Sequence, residues 1–545
     1  MMIRPLPLAF SFLLLISSMT GCEWHKSQTD NADQNETALI SQQFSDCQID
    51  SAFIQKELDR DSALQPYSNE ILGFYRRRNY YAAWFDGDSL TQSANDLLAT
   101  IESYESDFDD RSVTSGLNIG AIVLSGSPDT RCLLDLKFTA AFFLYADRAY
   151  GGTSADPKDL EWYIPREKKD YSRLIDTLVS SRSSYSYYEP VNTFYKSLKK
   201  VLIHYRRIEK NGGLPRVEAR ALPIRKGDSC SAVIQLKKSL TITGDYSSMD
   251  TSKLYTPRLK SAVVNYQERM GLNPTGALDS LTLAEINTPI GERIRQIMYN
   301  MERLRWMPDT MPARYILVNI PEYRLHVVEK NKDTLSMDVV VGKAASATSI
   351  FTGKLSLVSF APYWKVPVSI IKKEILPKLK QNRNYLDKNN MELVQYGKVI
   401  DDPSKINWKK YKEEIPYDIR QRPGPGNSLG QVAFFFPNTY DIYLHDTPAK
   451  GLFSESSRAF SHGCIRLSHA QALAEYIFCT KDSHIDPDSI ATMMNAPYNR
   501  TMRVNPNIPV YIVYFTTWVD QTGRANFRHD IYGHDARLAK EVFGK

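Results

Sequence analysis

Ser461-His462-Gly463-Cys464-Ile465-Arg466-Leu467 is the stretch of this chain whose residue types can do covalent chemistry. A thiol is a strong nucleophile only as thiolate, and nearby helix N–H groups, Arg or His⁺ bring its pKa of about 8.5 into the working range. Ser468-His469-Ala470-Gln471 follows at a capping-box spacing and predicts a helix through Leu473, Tyr476 and Ile477, with Cys464 in the turn that feeds it. Gly463 lets a backbone or a substrate approach closely, while His462, Arg466 and His445 supply a base and a positive field. A lone cysteine is more commonly buried and inert, and these neighbours argue against that fate here. If the chain is extended at Cys464, His462 shares its face and competes with His445 as the base.

The elements that must hold these groups follow from periodicity. From Tyr315 onward the apolar period is two: 315–320, 325–328, 337–342, 355–361, 431–436, 441–445 and 510–515 read as strands, so 309–545 is expected to be a mostly β catalytic domain. Residues 367–422 interrupt these strands with a polar, helical pattern. From Lys365 to Arg422 there are 14 Lys and Arg against 8 Asp and Glu, which suits a lid over an acidic substrate or a solvated helix face. The segment returns through Pro423-Gly424-Pro425-Gly426, which reads as a hinge. Residues 289–308 form a connector helix with Ile294, Ile297, Met298, Met301 and Leu304 on one buried face. Residues 225–288 alternate short amphipathic helices with turns at Gly244, Gly271 and Gly276, and 44–224 is a helical scaffold patterned as in Leu133, Leu136, Ala140 and Leu144. Within the scaffold, Tyr75 to Phe85 with Arg76, Arg77 and Arg78 reads as an amphipathic element with a solvated arginine face, or as a basic ligand stripe.

With 545 residues, 42% hydrophobic and 24% charged, the chain can build several cores and is not a disordered or multi-span membrane protein. A net charge of +6 without a concentrated basic stripe or a reading module argues against nucleic acid. The 32 tyrosines suit either core or a sugar-facing cleft. Residues 1–21 carry one early positive charge and an apolar run from Leu6 to Met19, and with Thr20-Gly21-Cys22 they resemble a bacterial lipoprotein signal. That resemblance implies a lipid on Cys22, a flexible polar tether over 22–43, and, because Glu23 rather than Asp follows, the periplasmic side of the outer membrane. Cys47, Cys132, Cys230 and Cys479 then have three pairings open to them, or none. His326, His469, His484, His529 and His534 show no metal spacing, and no cofactor is expected.

His445, fifteen intervening residues and then Ser461-His462-Gly463-Cys464 resemble the signature of the L,D-transpeptidase (YkuD-type) catalytic domain. Pro362-Tyr363-Trp364-Lys365-Val366-Pro367, Pro423 to Gly430 and Tyr443-Leu444-His445-Asp446-Thr447-Pro448 extend the match. The 225–288 unit resembles a three-helix peptidoglycan-binding module, although its 241–256 stretch is long and suits domain docking as well. Together with the scaffold and the insertion, the chain is similar to the large YcbB-like branch, where Arg stands at position 466 in place of the usual Asn. The resemblance implies a multidomain α+β fold and an enzyme whose Cys464 attacks the third-position carbonyl of a peptidoglycan tetrapeptide stem. D-Ala is released, and the thioester passes to the side-chain amine of a second stem. It implies His445 as the base, oriented by a backbone carbonyl near Asp446, and an oxyanion-side or structural role for His462. Backbone N–H groups near Gly463 and Cys464 would hold the oxyanion, supported by Ser461 and Tyr443. Arg466 suits substrate carboxylates or is a surface charge, and Trp364 with Tyr363 either meets the donor stem or fills core. Implied partners are stems as donor and acceptor, the membrane through Cys22, and other cell-wall synthesis enzymes. Acylation by carbapenems is also implied. The alternatives are an L,D-carboxypeptidase or endopeptidase using the same cysteine, and a non-catalytic wall-binding lipoprotein.

Overall fold

Helices fill the chain up to Arg305 and strands dominate after it. The computed structural model describes residues 47–87, 89–117, 128–180, 189–248, 250–480 and 484–543; the signal segment 1–21, the tether 22–43 and Cys22 lie outside these. Two compact units emerge: one holds most of the chain to Tyr187, and the other holds 107–109, 146–169 and everything from Tyr188.

In the first unit the helix Pro128–Ala146 is buried almost all round between Leu134 and Phe143, so its apolar residues do not form one stripe. Its Asp135, 1% exposed, is held by the Tyr75 hydroxyl at 2.6 Å and by the Ala83 and Trp84 N–H groups at 3.1 and 2.9 Å. A buried carboxylate needs such a set of donors. The Arg76-Arg77-Arg78 run is split: Arg76 is exposed on the outer side of an amphipathic helix and Arg77 pairs with Asp176, but Arg78 is buried, with its guanidinium on the Tyr81 and Ala82 carbonyls. The backbone doubles back after Arg78, with Asn79 and Tyr80 at positive φ, and it brings those carbonyls over the side chain.

In the second unit the helix Thr193–Lys210 is capped by Asn192 and buries Tyr195, Leu198, Leu202, Tyr205 and Ile208, three or four residues apart, against the connector helix Ile290–Arg305. The connector does not bury a single face: toward its end Asn300, Glu302, Arg303 and Arg305 are buried too. Arg303 bonds Asp535 at 2.5 Å and Asn300 bonds Thr516 at 2.8 Å, so the polar side of the helix is seated on the β domain. The 225–288 region folds as three helices, Ser231–Ile242, Pro257–Arg269 and Ser280–Ile286, around the fully buried Gln267, whose amide bonds Ala277 O, Thr282 Oγ1 and Gly276 N. Its 241–256 stretch docks on the β domain through Asp245, which joins Arg269 of its own unit to Arg524, while Asp250 pairs within the unit with Lys237 at 2.7 Å.

The main sheet of the β domain has nine strands, in spatial order Ala459–Ser461, Lys332–Gly342, Ile465–Leu467, Leu444–His445, Val432–Phe435, Phe351–Phe360, Arg500–Val513, Arg314–Asn319 and Arg324–Glu329. The last strand also pairs with Lys332–Gly342, so eight of the nine strands form a closed circuit of pairings, and Ala459–Ser461 is attached to Lys332–Gly342 alone. The core is the apolar set of the period-two pattern, including Ile316, Val318, Leu325, Val339, Val340, Leu355, Val358 and Leu444, none above 0% exposed.

The insertion differs from expectation. Rather than a helical lid it is a small mixed domain: helical turns over 368–381 and 385–388, plus a four-stranded sheet ordered Trp364–Lys365, Asp418–Gln421, Met391–Gln395, Lys398–Val399. It has its own core of Ile375, Leu379, Leu393, Trp408 and Ile419. Some of its basic groups are paired, with Arg420 and Arg422 both on Glu392 and Lys372 on Glu413. The Pro423–Gly430 return is pinned rather than a loose hinge, because the buried Asn427 amide donates to Pro362 O at 3.0 Å and Arg422 O at 2.9 Å, tying together both ends of the insertion.

Candidate active site

Strands Leu444–His445 and Ile465–Leu467 run parallel, with Leu444 opposite Ile465 and His445 opposite Arg466. Ile465 N–H donates to Tyr443 O at 3.1 Å, which carries the pairing back to the residues beside Cys464. Side chains alternate along a strand, so Leu444, Ile465 and Leu467 go to the core while Tyr443, His445 and Arg466 turn to the other face. The Tyr443 hydroxyl meets Cys464 there, its ring lies 5.8 Å from the His445 ring, and Arg466 is close enough to act electrostatically on both Cys464 and His445.

His445 is 4% exposed. Its Nδ1 lies 2.5 Å from Asp446 O. A carbonyl only accepts, so Nδ1 carries the proton and the basic lone pair is on Nε2, with the Leu429 backbone also close to the ring. The orienting group is thus the backbone carbonyl. The Asp446 carboxylate faces away, on Lys450 at 2.6 Å and Gln431 N at 2.9 Å. Burial pushes the imidazole down to about 4, with the Arg466 charge adding to it against the pull of the Asp446 carbonyl. The ring is therefore neutral near pH 7, as a general base requires.

Cys464 does not sit where the capping pattern puts it. The helix starts only at Ala470, its preceding residue His469 makes no side-chain cap, and the strand Ile465–Leu467 intervenes. Helix N–H groups therefore do not act on the thiol. Burial raises it above 9.0, outweighing the Tyr443 hydrogen bonds and the Arg466 charge that lower it. The resting pair is a neutral thiol and a neutral imidazole, so the proton must move as the sulfur attacks. The thiol points to Asp441 O at 3.4 Å. That carbonyl had no signal in sequence; it is presented because Asp441 adopts φ 54° in a turn closed by Asn438 Oδ1 on Tyr440 N and Ile442 N.

The turn before Cys464 is held internally. Ser461 Oγ donates to Cys464 O at 2.6 Å and accepts from Gly463 N at 3.1 Å, and Gly463 adopts φ 122° with open space where a Cβ would stand. Glycine is needed there for its backbone angle, not for a close approach. The chain is not extended at Gly463, so the argument that His462 shares a face with Cys464 does not apply. His462 instead reaches the insertion, with Nε2 on Glu374 Oε1 at 3.1 Å. The Gly463 N–H, spent on Ser461, is not free for an oxyanion, whereas the Cys464 N–H has no acceptor among the described residues.

Arg466 is half-buried, and its Nε is buried with no hydrogen-bond partner among the described residues. No carboxylate among the described residues pairs with it, which suits a ligand carboxylate. Trp364 meets the Tyr443 hydroxyl and packs on the insertion core, so it joins the two halves of the site. Tyr363 is exposed, with the Arg420 guanidinium 4.5 Å from its ring centre. Cys230 and Cys479 are thiols without a disulfide.

Comparison with known proteins bears on this arrangement. Residues 313–512 match the family model of the L,D-transpeptidase catalytic domain (YkuD), 69–202 match a scaffold domain, and 230–286 match the model described as "Putative peptidoglycan binding domain". A Haemophilus influenzae protein named "Putative L,D-transpeptidase" is 32% identical over 244 residues, which are 45% of this chain and 49% of that protein. The match thus spans about half the length of that relative. Among solved structures, an L,D-transpeptidase of Xylanimonas cellulosilytica (residues 123–326) is 12% identical with a TM-score of 0.18, over 54% of this chain and 100% of that one. One from Stackebrandtia nassauensis is 14% identical with a TM-score of 0.23, over 54% and 97%. His445, on its strand, and Cys464, just before the strand paired with it, lie inside the matched span, and by these matches the chain carries an L,D-transpeptidase catalytic domain (YkuD) beside a peptidoglycan-binding domain.

Proposed function

We propose that the protein cross-links peptidoglycan stems between third-position diamino acids through a thioester on Cys464. The observation that carries this reading is the neutral His445, its Nδ1–H fixed on Asp446 O, on the same face as Cys464 and the unpartnered Arg466. Cys464 Sγ attacks the carbonyl that joins the third residue to D-Ala, and its proton passes to His445 Nε2. The tetrahedral oxyanion is held by the Cys464 N–H, with the Tyr443 hydroxyl beside it; burial keeps that hydroxyl protonated and able to donate. His445 returns the proton to the amine of D-Ala, which leaves. The side-chain amine of a second stem then attacks the thioester, His445 takes its proton, and the thiol is released. Arg466 holds a substrate carboxylate during both steps. Export, a lipid on Cys22 and a place on the periplasmic side of the outer membrane are part of the same reading, resting on the leader sequence.

The test is product mass analysis after incubating the chain with purified disaccharide-tetrapeptide, beside C464A. Dimers lacking one D-Ala, absent from the control, are expected. Tripeptide monomers alone would make the protein a hydrolase, and binding to sacculi without any thiol acylation would make it a wall-binding protein.

A further inference from the structure

We infer that Thr348 is a positioning residue for acyl transfer: its hydroxyl sets the peptide plane that aims the Cys464 N–H at the oxyanion. This rests on the reading of Cys464 as an acyl-accepting nucleophile. Thr348 stands 116 residues before Cys464 and is 1% exposed. Its Oγ1 donates to Gly463 O at 2.8 Å and accepts from Gly342 N at 2.9 Å, so both its donor and its acceptor are committed.

The Gly463 carbonyl and the Cys464 N–H belong to one planar trans peptide and point in opposite directions. Fixing the oxygen on Thr348 therefore fixes the N–H. That N–H, like the His462 N–H, has no acceptor among the described residues, whereas Gly463 N–H is bound by Ser461 Oγ. Gly463 supplies no stiffness of its own at φ 122°, so the plane needs an external anchor.

The anchor is itself braced. The 342–348 turn closes so tightly that a Cβ on Gly342 would fall 2.2 Å from Ser346 O. The Tyr532 hydroxyl bonds Gly342 O and receives Thr348 N, and Tyr532 N donates to Tyr514 Oη at 2.8 Å. Ser346 Oγ reaches Ser461 O at 3.1 Å, a second tie between the same two turns.

The experiment compares two reactions of Cys464 in the full chain. Acetylation by p-nitrophenyl acetate forms the S–C bond through a tetrahedral oxyanion, expels p-nitrophenolate and sends the thiol proton to His445; alkylation by iodoacetamide displaces iodide with no oxyanion. T348V is expected to slow acetylation about tenfold to a hundredfold and to leave alkylation within about twofold, and T348S is expected to restore acetylation. Equal loss of both reactions, or a T348V acetylation rate equal to wild type, would overturn the inference. If T348V is too unstable to assay, Y532F, which removes the brace, is expected to show the same selective loss at smaller size, and an unchanged acetylation rate in it would count against the inference. The ester contains no peptidoglycan element, so a wild-type chain that is acetylated but does not process tetrapeptide would fail the proposed function while leaving the role of Thr348 testable.

Discussion

Protonating His445 should be difficult, and the pH dependence of acylation measures how difficult. Burial holds the imidazole at about 4 instead of 6.5, a displacement worth roughly 3 kcal/mol against carrying a proton in the fold. At pH 6 an ordinary imidazole is about three-quarters protonated, whereas this one is protonated to about 1%. Single-turnover acylation of Cys464, followed by intact mass in the pH range from 4 to 8, should therefore stay nearly level from pH 7 down to about 5 and fall by half only near pH 4. The same depression acts on stability. With a folded pKa below the unfolded one, the contribution of His445 is complete above the unfolded value and is lost as the pH falls through about 4. His534, held at about 4 by burial and then by Arg303, weakens the fold over the same window. Urea melts at each pH separate loss of fold from loss of base. A half-loss of rate near pH 6.5 in chains that remain folded would refute the reasoning, because it would mean that the imidazole is not desolvated.

R466Q should raise the KM for tetrapeptide about tenfold to a hundredfold, the size of a lost hydrogen bond to a charged group of about 1.5–3 kcal/mol, while R466K recovers part of it; steady-state kinetics would decide, and an unchanged KM would remove Arg466 from substrate binding. R303A leaves Asp535 buried without its guanidinium, and a loss of about 3–5 kcal/mol in denaturant unfolding is expected. W408A opens the interior of the insertion and should cost about 3–5 kcal/mol of local stability, read as hydrogen exchange confined to 364–422 with the β domain protected. C464A should abolish the mass adduct formed with a carbapenem, and an adduct that persists in this variant would place the acylated group elsewhere.

The β domain was legible because seven of its segments alternate apolar and polar residues or run apolar outright, and their burial in the sheet follows that pattern. The orienting carbonyl came from the family resemblance; strand alternation added only that the Asp446 side chain leaves the face of His445. The insertion was not legible. Met391–Gln395 and Asp418–Gln421 are four or five residues long and find their partners more than twenty residues away, while the helical pattern of 368–381 dominates any local window. The helix through Leu473, Tyr476 and Ile477 was legible from the capping spacing, but the strand Ile465-Arg466-Leu467 between it and Cys464 was not, because three residues of alternation are too short to stand out; pairing with 444–445 and 339–340 decides it. Arg78 was misread because its partners are backbone carbonyls, which leave no trace in residue type. Thr348 and Asp441 were invisible for that reason as well.

The insertion keeps a private interior: Ile375, Leu379, Leu393, Trp408 and Ile419 pack on each other within residues 364–419. Its reach into the nucleophile loop includes the Glu374–His462 contact. A module built this way can be exchanged or diversified over evolutionary time while the strand that carries His445 and the turn that carries Cys464 stay as they are. In an engineered chimera, donor insertions should therefore be grafted between Pro362 and Asn427, where one side chain already joins the two cut ends.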